Sequence, residues 1–123
     1  MQDIKQRKDL DLLVSEFYKK VLADDKIATV FTGEIKINWT AHLSIICDFW
    51  ENLLWGGNKY QDSLMQKHLD FNKNISLTPL HLERWLLHWE TTLTENFSAK
   101  NAAEVKERAA IIGRLILFKI SQQ

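Results

Sequence analysis

The side chains with the widest chemical range in this sequence are four histidines, His42, His68, His81 and His88, spread along a chain of 123 residues. A zinc site takes three or four ligands from His, Cys, Asp or Glu at short spacings. No His-Glu-x-x-His and no paired Cys-x-x-Cys occurs, and the paired Glu-x-x-His motifs of a di-iron bundle are missing too. A carboxylate-bridged metal site is therefore not expected. An iron porphyrin asks for less: one neutral imidazole holds the iron from one side, and burial between apolar side chains holds the macrocycle. Five tryptophans and six phenylalanines could wall such a group, or could simply fill an aromatic core. The single cysteine, Cys47, adjoins an apolar stripe and reads as a buried, inert thiol.

These residues need elements to position them, and the periodicity is helical throughout, with one proline and four glycines. A first helix from about Lys8 to Ala23 carries Leu10, Leu13, Val14, Phe17, Tyr18 and Val21 on one stripe. Asp24-Asp25 interrupts the pattern, and that pair, like Lys19-Lys20, reads as solvated. A short turn then carries Ile27, Val30 and Phe31 before Thr32-Gly33. A second long helix starts near Asn38, with Trp39, His42, Ile46, Phe49, Trp50 and Leu53 on its inner stripe, and stops at Gly56-Gly57-Asn58. Asp62 or Ser63 caps a short helix ending near His68, and Asp70 to Ser76 reads as a loop. Thr78-Pro79 opens a third long helix, through Trp85 and Trp89 to about Phe97, with His81 solvated in its first turn. The last helix, Lys100 to Ile120, places Ala102, Val105, Ala109, Ile112, Leu115, Ile116 and Phe118 on or near one face. Trp39, Trp50, Trp55 and Trp89 are assigned to packing. Periodicity does not separate a plain four-helix bundle from a crossed, globin-like sandwich.

The bulk numbers bound the function. One domain, residues 1–123, is expected, large enough for its own core. Lys plus Arg and Asp plus Glu are 16 each, so no basic excess points to nucleic acid or anionic lipid. One cysteine cannot build a disulfide framework, and MQDIKQRKDLDLL lacks the apolar run of a signal peptide. No stretch approaches the roughly 18 apolar residues of a membrane span. A cytoplasmic protein is expected.

Taken in order, several segments resemble one family. Phe17-Tyr18-x-x-Val21 is followed by Phe31, then Trp39-x-x-His42 with Ile46, Phe49 and Trp50, then Lys67-His68-Leu69-Asp70, and finally Arg84-Trp85-Leu86-x-x-Trp89. Order, spacing and residue type are similar to the truncated haemoglobins of the third group, from roughly Leu10 to Ile120. The resemblance implies an all-α, two-over-two helical sandwich around a non-covalent haem b, since no Cys-x-x-Cys-His attachment motif exists. It implies His68 as the axial iron ligand, and Tyr18, Trp85 and His42 as distal residues facing a bound gas, His42 as a gate. It implies Phe31, Ile46, Phe49, Leu64, Lys67 and Trp85 as haem contacts, Lys67 by adjacency to His68. The chain departs from the family in the polar, asparagine-rich stretch from Asp70 to Thr78 and in the Gly56-Gly57 pair, which is more typical of other truncated groups.

A Tyr hydroxyl and an indole N–H are both donors, and Trp can only donate. Against a polarised acceptor each is worth roughly 1–3 kcal/mol, and about 1.4 kcal/mol is tenfold in affinity. The implied function is binding of dioxygen and other diatomic gases (NO, CO), with slow release. A redox role such as NO detoxification or peroxidase-like chemistry would need an electron-donating reductase as partner. Two alternatives remain at this point: a gas-sensing module without turnover, and a haem-free helical interaction domain.

Overall fold

The computed structural model describes residues 2–28, 39–57 and 77–122, the side chain of Trp39 excepted. Four helices run through them: α1 (Arg7–Leu22), α2 (Trp39–Trp55), α3 (Pro79–Asn96) and α4 (Lys100–Ile120). There is no β-sheet among the described residues, and the all-α expectation holds. The turn carrying Val30 and Phe31, the Asn38 cap, the short helix before His68 and the loop after it lie outside the described residues.

Each helix begins or ends where its local chemistry dictates. Asp9 in the first turn of α1 accepts from the backbone N–H groups of Lys5 and Gln6, at 2.9 and 3.2 Å, satisfying donors that a helix start leaves unpaired. Helix α2 stops at Gly56 and Gly57, whose φ angles of 81° and 107° suit only glycine without strain. Helix α3 opens with Thr78 Oγ1 accepting from His81 N–H at 3.3 Å, while His81 Nδ1 accepts from Thr78 N–H at 3.2 Å. This is a reciprocal capping box with an imidazole where Glu or Gln usually stands. His81 is therefore half-buried and engaged, not the solvated histidine expected from its position.

The start of α4 is capped from the other end of the chain. Ala99, at φ 84°, offers no side-chain cap. Instead, Asp3 accepts from Asn101 N–H and Ala102 N–H, both at 2.9 Å, and Asn101 Nδ2 donates to Ile4 O at 2.6 Å. Burial opposes ionisation of Asp3, but the backbone donors of Asn101, Ala102 and Ile4 outweigh it and hold the carboxyl below its usual range. An isolated bridge between Gln2 and Phe97 completes the clasp.

Helix α1 packs on both α2 and α3, and α3 packs on α4. The stripe Leu10, Leu13, Val14, Phe17, Tyr18 and Val21 is buried as its spacing requires. Burying each such side chain contributes about 1.5–3 kcal/mol. Cys47 lies in this core; burial, then the neighbouring Asp11 carboxylate, pushes its thiol up to about 12. On α4 the inward residues are Ala102, Val105, Ala109, Gly113 and Ile116. Leu115 and Phe118, expected near that face, are 50 % and 57 % exposed. At roughly 100° per residue, they and Ile111 fall on a separate stripe turned away from α3. Trp50 and Trp89 pack inside as expected, whereas Trp55, at the end of α2, is largely exposed.

Candidate functional site

The position of Tyr18 follows from helix phase: it shares the inward stripe of α1, so its ring is buried and only its hydroxyl needs a partner. That partner comes from α2. Tyr18 Oη and His42 Nε2 are 2.9 Å apart, with the two rings edge to face at 5.3 Å. Burial raises the pKa of the Tyr18 phenol well above its ordinary value, so at neutral pH it is an intact hydroxyl, able to donate as well as accept.

Around this pair the walls are aromatic. Phe17 meets Tyr18, Trp85 and Trp89 edge-on, with centroids at 4.8, 5.9 and 5.0 Å. Trp85 and Trp89, one turn apart on α3, stack at 6.1 Å with planes 5° apart. Trp89 stacks in turn on Trp50 of α2 at 5.2 Å, and Phe49 meets Trp50 edge-on at 5.1 Å. Such contacts add about 0.5–1.5 kcal/mol each beyond burial. The half-buried Ile46 and Phe49 extend the apolar surface along α2 from His42.

The two indoles of α3 differ in one respect. Trp89 Nε1 donates to Val105 O at 3.4 Å. Trp85, half-buried, has no hydrogen-bond acceptor for its N–H among the described residues. A neutral hydroxyl, an imidazole and an uncommitted indole N–H thus sit on three helices whose other facing side chains are mainly apolar. That combination suits a flat, apolar ligand with a small polar or polarisable group, and it supplies donors but no carboxylate.

Among the sites expected from the sequence, Tyr18 and His42 are brought into direct contact, and Trp85 joins them through Phe17. His68, Phe31, Leu64 and Lys67 lie outside the described residues. Among the described residues no group of three or more His, Cys, Asp or Glu could hold a metal ion.

The sequence reading missed a second polar cluster. Asp24, expected to be solvated, has a side chain only 9 % exposed. Its Oδ2 accepts from Arg84 Nε and from His88 Nε2, each at 2.7 Å, and its Oδ1 accepts from Lys26 N–H at 3.0 Å. The hydrogen bond from His88, opposed by burial and reinforced by Arg84, holds the Asp24 carboxyl well below its ordinary range. Lys20, expected to be solvated, bridges to Glu95 at 3.0 Å. The signal available was the i, i+4 spacing of Arg84 and His88, which puts both on one face of α3.

No family model matches the chain, and no curated protein matches its sequence. Its structure is similar to the crystal structure of a group III truncated hemoglobin from Campylobacter jejuni, with a TM-score of 0.85 over 98% of this chain and 95% of that chain, at 23% sequence identity. No helix among the described residues is long and apolar enough to cross a membrane. The arrangement of α1 to α4 is thus the all-α fold of the group III truncated haemoglobins.

Proposed function

We propose that this chain, as a single domain over residues 1–123, is a haem protein that binds dioxygen and other diatomic gases, with His68 as the axial ligand. The observation that carries the reading is the buried Tyr18 hydroxyl at 2.9 Å from His42, packed beside Phe17 and, through it, Trp85. The donor set fits a haem b: neutral donors on one side, and apolar surface from Ile46, Phe49 and Trp85 to cover the macrocycle. In the proposal, Phe31, Leu64 and Lys67 complete the haem contacts. When bound, the haem, held through His68, would supply an iron able to bind a diatomic gas.

What the chain itself does follows from donor arithmetic. The contact between Tyr18 and His42 has two states. If His42 Nε2 is unprotonated, the Tyr18 hydroxyl donates to it and its proton is spent. If His42 carries its proton on Nε2, the ring donates to Tyr18 Oη, and the hydroxyl proton is released toward the ligand. The tautomer of His42 therefore sets how strongly Tyr18 holds a gas, and swinging His42 away opens the enclosure to solvent. Trp85, which can only donate, adds a second fixed donor. Two donors favour retention over rapid exchange, which suits NO detoxification or peroxidase-like turnover with an external electron-donating reductase more than transport. A gas-sensing role without turnover uses the same pocket and differs only in lacking that partner.

The test is a titration of the purified chain with haemin, followed by reduction and exposure to carbon monoxide. The expected result is a saturable one-to-one Soret band that shifts at both later steps and is lost or altered in His68→Ala. A spectrum unchanged in His68→Ala removes that residue as the axial ligand. Failure to form any stoichiometric band removes the haem reading altogether and leaves a helical interaction domain.

A further inference from the structure

The Asp24 cluster forms one wall of an open cleft of about 590 Å³ between the end of α1, the turn after it, and α3. Lys20, Asp24, Asp25, Lys26, Arg84 and His88 line it. Two features set it apart from an ordinary surface ion pair. First, Asp24 engages only the Nε of Arg84. The guanidinium is thereby fixed in orientation, while its two terminal amino groups have no partner among the described residues. Asp24 already accepts three hydrogen bonds, Oδ2 from Arg84 and His88 and Oδ1 from the Lys26 N–H. The carboxylate that orients Arg84 is thus committed to other donors and competes little for its free edge. Second, another cation lines the cleft: the Lys26 ammonium has no partner among the described residues, whereas Lys20 is paired with Glu95.

A guanidinium held through Nε presents two parallel N–H donors on its far edge, matched in spacing to two oxygens of a phosphate or carboxylate. The Lys26 ammonium, in the turn after α1, adds a donor from a second element, and a phosphate, with more oxygens than a carboxylate, can engage both cations. We infer that this cleft binds a phosphate group, with Arg84 as its principal donor, Lys26 as a second, and Asp24 and His88 as positioning residues. The site lies apart from the Tyr18–His42 pair and does not depend on the haem reading.

The experiment is calorimetric titration of the full chain with inorganic phosphate at ionic strength held constant with chloride, alongside glycerol phosphate and acetate. Saturable one-site binding of phosphate, stronger than that of acetate, is expected. Arg84→Gln weakens it roughly 10- to 100-fold, the size of a lost charge-assisted pair, and Lys26→Ala weakens it a few-fold. Tighter binding of glycerol phosphate identifies a phosphorylated metabolite as the ligand; preference for inorganic phosphate identifies the free ion. Lys26→Ala touches none of the Asp24 contacts through its side chain, so it reads the site even if Arg84→Gln impairs folding. A non-saturable response, or affinities unchanged in both variants, overturns the proposal.

Discussion

Replacing Tyr18 by Phe removes one oxygen and keeps the ring, so its edge-on contact with Phe17 at 4.8 Å survives. What disappears is the contact with His42 Nε2 at 2.9 Å and the only hydroxyl this side chain can offer a ligand. In the free protein the loss is that of one neutral hydrogen bond, about 1 kcal/mol, offset in part because the buried hydroxyl no longer has to be desolvated. In the gas-bound state the acceptor is polarised and the bond is worth about 1.5 kcal/mol, close to tenfold in rate if it is lost on dissociation. The haem-loaded, ferrous protein should therefore release dioxygen about tenfold faster in Tyr18→Phe, measured by stopped-flow replacement with carbon monoxide, with little change in melting temperature. His42→Leu and the double variant complete a cycle. Because the two side chains touch, a coupling of roughly 0.5–3 kcal/mol is expected rather than additivity. A dissociation rate within about twofold of the parent, in a variant that still folds, refutes the ligand-stabilising role of Tyr18. Strict additivity with His42 would show that the hydrogen bond between them does not govern release.

Other outcomes follow from the scaffold. The folded-state pKa of Asp24 lies below its unfolded value, chiefly through His88 and then Arg84 against the opposing cost of burial. Its ionised form therefore stabilises the fold above the ordinary carboxylate range, and that contribution fades as pH falls below about 4 toward the lowered folded value. Asp24→Asn should lower the melting temperature at neutral pH and progressively less on acidification; a gap that does not close with pH contradicts the ion-pair account. A Cβ at Gly113 would collide with Leu82 Cδ1 across the contact between α3 and α4. Gly113→Val should cost about 1–3 kcal/mol by overpacking, and adding Leu82→Ala should give a double variant more stable than the two single costs predict, by urea denaturation; strict additivity would show that the collision is not the cause. Cys47, with its thiol raised to about 12 by burial and then by Asp11, should resist a thiol reagent in the native state and react once urea unfolds the chain; prompt native labelling would place it elsewhere.

Local periodicity carried the reading a long way because it is a property of neighbours in sequence. The stripe on α1 buried Tyr18, Thr78-Pro79 started α3, and Gly56-Gly57 ended α2 in the left-handed backbone region that glycine alone adopts freely. The pairing of Tyr18 with His42 was anticipated only as two distal positions of a family resemblance, and no spacing rule puts a residue of α1 within 2.9 Å of one on α2. His81 was legible in principle, since Thr-x-x-His occupies the positions of a capping box, but an imidazole is an uncommon occupant of the last position.

Helix type, phase and ends were thus written in the chain itself, because a helix is stabilised by contacts three and four residues apart. Partners were decided by the tertiary structure. Asp24 became a buried acceptor only because α3 brings Arg84 and His88, 60 and 64 residues away, onto the end of α1. Asp3 became the cap of α4 only because the chain's beginning meets the turn after α3. Leu115 and Phe118 face outward because α4 can turn only one stripe toward α3. Burial is what makes a charge or hydroxyl need a specific partner, and which groups are buried together is fixed by packing between helices, not by the sequence around each residue.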